Sequence, residues 1–544
     1  MIHVSQSISV QIREGKVKRS LFILFVLLFL STHAFASTVT VSGDCSASAV
    51  NTAIAGASEG DIIDVTCTGT VEWDTQINLS GGKTLRGGGA KGVGGTAGTW
   101  PLTINVTSSG NAVIYITNAA EQEINRVTGF KFTGTGNPTN IICSTGAGTG
   151  VGVAGAFRID NNYFDDVYYS SRVTRSNGHT GQLIGLFDHN VWYYSSANPN
   201  HDYGNNMYEQ QYKGVSPTCY GYDSYHRAVG HGTNDFLFVE DNYFFNSLFE
   251  TSSGGGRLVF RYNEVESDYV TSSMAVVDGH GADTGCQNAC GVVAVEFYNN
   301  TITGTGTSYA QIVAMRGGKW MVHNNTTQSG FLQLNEYRAY RPLLLDWKTC
   351  SGTWCCETPN CDIQEPVVGD FAACYPLPNQ VQDTFVWNNI LSAANMTPTY
   401  PSGYGDVSPW IVLDRDYWMP DYGLESALPG TCVTGDYYGS TDSGKLWECT
   451  STNVWTLQYT PYTYPHPLRG ADGSCGDGIC AAGECIAGCT DDCTLEDCCG
   501  IEGCNMAIGE TTGNCPGDCS EDPPPVESGA PGLSSVGYSG VSIN

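Results

Sequence analysis

The stretches Val239-Glu240-Asp241-Asn242-Tyr243-Phe244 and Phe260-Arg261-Tyr262-Asn263-Glu264-Val265 decide the fold of this chain. In each, a short β-branched or aromatic run ends at an Asn, and an apolar-alternating run resumes. Five more stretches repeat the pattern: Ile159-Asp160-Asn161-Asn162-Tyr163-Phe164, Phe187-Asp188-His189-Asn190-Val191-Trp192, Phe297-Tyr298-Asn299-Asn300-Thr301-Ile302, Met321-Val322-His323-Asn324-Asn325-Thr326 and Val386-Trp387-Asn388-Asn389-Ile390. Asn162 to Asn190, Asn242 to Asn263 and Asn300 to Asn325 are 21 to 28 residues apart. A repeat of that length, built of strands and turns without helices, is the signature of a solenoid. Asn suits the turns because it tolerates the left-handed backbone region. Stacked rung on rung, these residues are expected to form an internal hydrogen-bonded ladder. The fold expected is a coiled parallel β-structure.

The N-terminus reads as an export signal. Lys16, Lys18 and Arg19 precede an apolar run over 21–30, and Ala34-Phe35-Ala36 offers a small-residue cleavage site. That run is too short to span a bilayer, and no second one approaches membrane-spanning length. Residues 1–36 carry four basic residues and Glu14, so the mature balance is 20 basic against 53 acidic. Such a surface excludes nucleic acid, whose binding depends on neutralising phosphates. An anionic polysaccharide needs a local basic patch or a bridging cation.

Twenty-three cysteines in an exported chain point to disulfides. Ten of them crowd between Cys475 and Cys519, which marks a domain boundary. The organisation expected is a signal peptide over 1–36, a β-helix domain over 37–470, a disulfide-rich tandem repeat over 471–520 and a flexible tail over 521–544. A helix over 48–57 would cap the first rung, because an exposed terminal rung is an unpaired sheet edge. The segment Tyr462-Thr463-Tyr464-Pro465-His466-Pro467-Leu468 looks like a strap returning over the solenoid.

The rung pattern, the leader and the Tyr-Pro-His-Pro segment resemble right-handed parallel β-helix proteins of the pectate-lyase-like class, over roughly residues 40–470. The resemblance implies an all-β right-handed parallel β-helix, here with a small disulfide-rich C-terminal module. It is weak for activity, since that architecture hosts lyases, hydrolases, esterases and non-catalytic surface proteins. The Trp-Ile-Asp-His and Arg-x-Pro-x-x-Arg signatures of pectate lyases are not recognisable. Gly279-His280-Gly281 and Arg316-Gly317-Gly318-Lys319 are faintly similar to polygalacturonase motifs, but the carboxylate motifs of that family are missing upstream. The tail resembles small Cys-rich Gly-Glu modules of secreted proteins, a means of cell-surface attachment.

Aligning rungs on their Asn turns also aligns the strands over 228–232, 248–252, 276–281 and 312–317. Stacked rungs lie about 4.8 Å apart, so equivalent positions become neighbours. His231, Glu250, Asp278, His280 and Arg316 are then expected in one column, with Tyr337 and Arg338 on the next rung and Lys319 just past Arg316. A lyase must neutralise a uronate carboxylate, abstract the adjacent proton and expel the C4 oxygen. Arg316 or Arg338 suits the first task, aided by Ca²⁺ on Glu250, Asp278 and Asp283. Lys319, His280 or Tyr337 suits the second. Hydrolysis needs two carboxylates instead, for which Glu250 and Asp278 are the candidates. Trp192 and Tyr203 are candidates for stacking on sugar rings, with His231 beside them. The reading is a secreted or cell-surface protein that binds extracellular polysaccharide, with lyase chemistry ahead of hydrolysis and a non-catalytic surface rod as the rival.

Overall fold

The computed structural model describes residues 37–92, 95–107, 112–118, 124–134, 141–146, 156–167, 171–174, 185–195, 205–210, 228–246, 248–251, 255–267, 274–279, 292–304, 310–315, 317–327, 336–339, 381–391, 394–395, 398–399 and 412–469. Among them, three long sheets run side by side, of 12, 11 and 10 strands. Apart from one antiparallel pair ending the second sheet, every neighbour within them is parallel, and consecutive strands of one sheet belong to consecutive rungs. The chain visits the first, second and third sheet in turn and returns to the first. This is a three-sheet parallel β-helix.

The core forms because alternate residues face inward. Leu102, Ile104 and Val106 are buried along one second-sheet strand, while Thr103 and Asn105 are partly exposed. Inside the coil, aromatic rings stack from rung to rung: Phe132 on Phe164 at 5.4 Å, Phe164 on Trp192 at 5.3 Å, and Trp192 on Phe244 at 4.6 Å. Trp192 is therefore a core residue, wholly buried. The expectation that it stacks on sugar is corrected: an apolar aromatic at the inward position of a rung joins the core.

The turns between first and second sheets carry the predicted ladder. Asn162, Asn190, Asn242, Asn263, Asn300, Asn325 and Asn389 are all buried. The first six donate through Nδ2 to the Oδ1 of the next Asn at 2.8–3.2 Å, and Asn389, the last, donates to the Val322 carbonyl. The left-handed backbone, however, falls one residue earlier, on Asn161, His189, Asp241, Tyr262, Asn299, Asn324 and Asn388. Asn is thus selected at the ladder position for its amide, which satisfies buried backbone groups from both sides. The left-handed site tolerates even His and Tyr.

The capping helix spans Ala47–Gly56, with Ser46 accepting from the Ala49 amide and Val50 and Ile54 buried against the first rungs. A Cys45–Cys67 disulfide holds it there. At the other end a four-stranded sheet, from Asp421–Gly423 to Val454–Tyr459, leaves the rung pattern and carries a Cys432–Cys449 disulfide. No helix among the described residues is long and apolar enough to cross a membrane. The Cys-rich repeat over 471–520 and the tail lie outside the described residues.

Candidate functional site on the third sheet

Two outer faces carry charged columns, and they differ in what covers them. On the first sheet, strands such as Phe157–Asp160, Leu237–Glu240 and Arg257–Arg261 are buried on both faces. The cover is the strap predicted from the sequence. Arg261 donates to Glu240 at 2.7 Å and to the carbonyls of Tyr462 and Thr463 at 2.6 and 2.8 Å. The His466 amide donates to Glu240 at 2.9 Å, and the Tyr459 hydroxyl to Glu296 at 2.6 Å. Beneath the end of the strap, Arg126 grips Asp160 through two bonds of 2.8 and 2.7 Å, and Arg158 grips Asp188 through two of 3.1 Å. Burial pushes the Asp160 carboxyl up, but Arg126 and Arg158 outweigh it and hold the group below its ordinary range. These charges are satisfied by one another and by the strap, as buried ions must be. The network is structural.

His231 belongs here and not to the predicted column. It precedes the first-sheet strand Leu237–Glu240, stacks on Phe236 at 5.9 Å and sits 3.6 Å from Glu296. The alignment failed because the segment 228–232 enters a first-sheet strand, whereas 248–251 lies in the third sheet. Lys319 begins a first-sheet strand, in register with Ala294 and Gln382, and pairs with Asp383. It stands around the corner from the predicted column.

The third sheet brings the remaining residues together by register. Glu250 lies opposite Asp278, Asp278 opposite Ala314, and Ala314 opposite Arg338. In the other direction Glu250 lies opposite Tyr208, and Tyr208 opposite Arg172. In this column Asn78 is exposed and Tyr115 and Asp278 are partly exposed, while Ala314 is buried; in the adjacent column Ile114, Val277 and Val313 are fully buried. Tyr337 takes a position in the buried column, opposite Val313. Tyr208 is the tyrosine in register with Glu250. Sequence spacing gave no signal for Arg172 or Tyr208, because the intervals between third-sheet strands vary too much.

Trp320 fixes the end of the Asp278 strand from below. Its wholly buried ring lies where a Cβ on Gly279 would fall 2.2 Å away, and its indole donates to the Gly317 carbonyl at 2.7 Å. One side chain thus contacts both Gly279 and Gly317. His280, Arg316, Asp283 and Tyr203 lie outside the described residues. Among the described residues no three His, Cys, Asp or Glu converge as a metal site. Glu250 and Asp278 by themselves supply too few oxygens for Ca²⁺, which takes six to eight.

Comparison with known proteins adds little beyond this geometry. No protein-family model and no curated protein matches the chain. A solved structure of a mutant PL6-family alginate lyase aligns over 80% of this chain and 57% of its own, at 14% identity and a TM-score of 0.32. The chain thus spans little more than half the length of that neighbour. Likeness at that level does not extend to function, and the fold stands on its own sheet topology.

Proposed function

We propose that the chain is an exported polysaccharide lyase that cleaves a uronic-acid polymer by β-elimination on the third-sheet face. The observation that carries this reading is the register column Arg172, Tyr208, Glu250, Asp278, Ala314, Arg338. It sets two adjacent acids with an Arg two rungs to either side. Arg338, with Arg316, neutralises the uronate carboxylate and so acidifies the proton beside it. His280 or Tyr208 removes that proton, the C4–O bond breaks, and a double bond forms between C4 and C5 while the leaving oxygen takes up a proton. Glu250, Asp278 and Asp283 would hold Ca²⁺, which supplies further positive charge at the carboxylate. In a chain with 54 acidic and 24 basic residues, such local compensation is required for an anionic polymer to approach.

One observation favours a second reading. Glu250 and Asp278 occupy adjacent rungs, about 4.8 Å apart at the backbone, close to the separation of the two carboxyl groups in a retaining glycosidase. The experiment that separates them is incubation of the purified protein with uronate polymers, with Ca²⁺ or with chelator. Ultraviolet absorbance from an unsaturated product establishes the lyase. New reducing ends without absorbance establish the hydrolase. Neither product leaves the solenoid as a non-catalytic surface rod, its tail serving attachment.

A further inference from the structure

The outward column of the third sheet does not end at its acids. From Arg172 it continues by register through Cys143 and Tyr115 to Asn78, on the strand Ile77–Ser80. On the other side of Asp278 the column closes at the next rung, where Ala314 is buried. The Asn78 end is open. Asn78 and Ser80 are exposed, and Tyr115 and Thr117, in register with them, are partly exposed. Gln76 donates to Asn78 Oδ1 at 2.7 Å, and Asn51 of the capping helix accepts from the Asn78 amide at 3.0 Å, so this end is held in place.

The four strands at that end, Ile77–Ser80, Ile114–Asn118, Ile142–Gly146 and Ser171–Thr174, contain no Asp or Glu, and their one charged residue is Arg172. In the same four rungs the first sheet carries Asp64 and Asp160, and the second carries Glu72 and Asp165. At the corner beyond Asn78, the Lys83 ammonium donates to the Ser80 carbonyl at 3.1 Å. In a chain with 54 acidic and 24 basic residues, an anionic polymer meets no local repulsion on these strands. Asn78, Ser80 and Thr117 offer an amide and hydroxyls, the partners of sugar hydroxyls. Tyr115 adds a ring for the apolar face of a sugar, and its hydroxyl has no partner among the described residues.

We propose that a uronate polymer lies along the solenoid axis on the third sheet, with its reacting residue at the acid pair. Its bound segment runs over Arg172, Tyr115 and Asn78 toward the capping helix. The column from Asp278 passes Glu250, Tyr208, Arg172, Cys143 and Tyr115 before Asn78. At about 4.8 Å per rung this allots roughly one sugar to each, so about seven sugars fill it. Long chains are therefore preferred over short ones. The inference rests on the lyase reading and gives that site its substrate's direction and length.

The test uses the full secreted chain and uronate oligomers of defined length, from trimers upward, with cleavage read by ultraviolet absorbance. KM is expected to fall with each added sugar until about the seventh, with kcat nearly level. Thr117→Asp places an acid in the acid-free stretch, far from the acid pair. It is expected to raise KM roughly tenfold for long oligomers, an effect that shrinks with added salt and with shorter oligomers. Tyr115→Ala should act in the same direction without the salt dependence. A merely structural role would lower Tm and raise KM at every length alike. Cleavage with a KM that is level beyond the trimer, or indifferent to Thr117→Asp, overturns this inference and leaves the lyase standing. No oligomer cleaved, and none bound in a calorimeter, overturns the lyase reading and this inference with it.

Discussion

The Tyr459 hydroxyl donates to Glu296 at 2.6 Å, deep beneath the surface, and joins residues 163 positions apart. Glu296 also accepts from the Gly232 amide at 2.6 Å, so one carboxylate pins both the strap and the turn that carries His231. Tyr459→Phe keeps the ring and deletes the donor. The expected cost is about 1–3 kcal/mol, that of leaving a buried carboxylate oxygen unsatisfied. Chemical denaturation monitored by tryptophan fluorescence reads it, and a Tyr459→Phe chain as stable as the parent would show that the strap is held elsewhere.

Acid is expected to loosen the strap before it unfolds the solenoid. Burial pushes His466 down to about 3, with Arg261 adding to the shift, and burial alone takes His323 down to about 3. In the unfolded chain each histidine takes up its proton near the ordinary value of 6.5. Between about 6.5 and 3 the unfolded state therefore binds more protons, and stability falls as the pH drops. Each histidine contributes a slope of at most about 1.4 kcal/mol per pH unit in that window. Melting temperature measured from pH 7 to pH 4 should decline, and more gently in His466→Gln. Equal slopes in parent and variant would remove His466 from the account.

The Asn ladder predicts a graded series. Asn263 accepts from both the amide and the side chain of Asn242, and donates to the carbonyls of Val239 and Arg261 and to Asn300. Asn263→Ala leaves several buried groups without partners, at about 3 kcal/mol or more. Asn388→Ala, at a half-buried left-handed position, removes one bond to Asn324 and a favourable turn residue, and should cost only about 1 kcal/mol. Comparing the two denaturation midpoints tests whether the ladder amide or the turn geometry dominates. If Asn388→Ala proves the more damaging, the ladder is secondary.

Trp192 shows how far the sequence could be read. The alternation around it, Phe187 to Trp192 across an Asn turn, announced a rung, and the rung was found. Whether an aromatic points into the coil or out of it depends on a register that one residue inverts, and no sequence signal fixes that register here. Trp192→Ala should therefore cost about 3–5 kcal/mol through the cavity left in the stack, with sugar binding unchanged in the protein that still folds. His231 and Glu250 make the same point at larger scale. Both precede an Asn turn by a similar interval, yet they stand on different sheets, because long insertions shift where a rung begins. The ladder was legible since every turn repeats it. The column was legible only where strand followed strand without insertion, as from Glu250 to Asp278.

Asp278 and Gly279 allow the site to be tested apart from the fold. Asp278→Asn keeps the side chain's shape and removes its charge. If Asp278 holds a cation or acts on the substrate, turnover should fall roughly a hundredfold or more, with the melting temperature nearly unchanged. Gly279→Ala forces a Cβ to within 2.2 Å of the Trp320 ring, so ring and turn must shift together. Displacements of that order at a reacting centre cost about a hundredfold in rate, and here Tm should fall as well. Both variants inactive, with only Gly279→Ala destabilised, places the chemistry at the end of the Asp278 strand. An Asp278→Asn chain that still turns over uronate polymer at the parent rate moves the site off this column, toward His280 and Arg316.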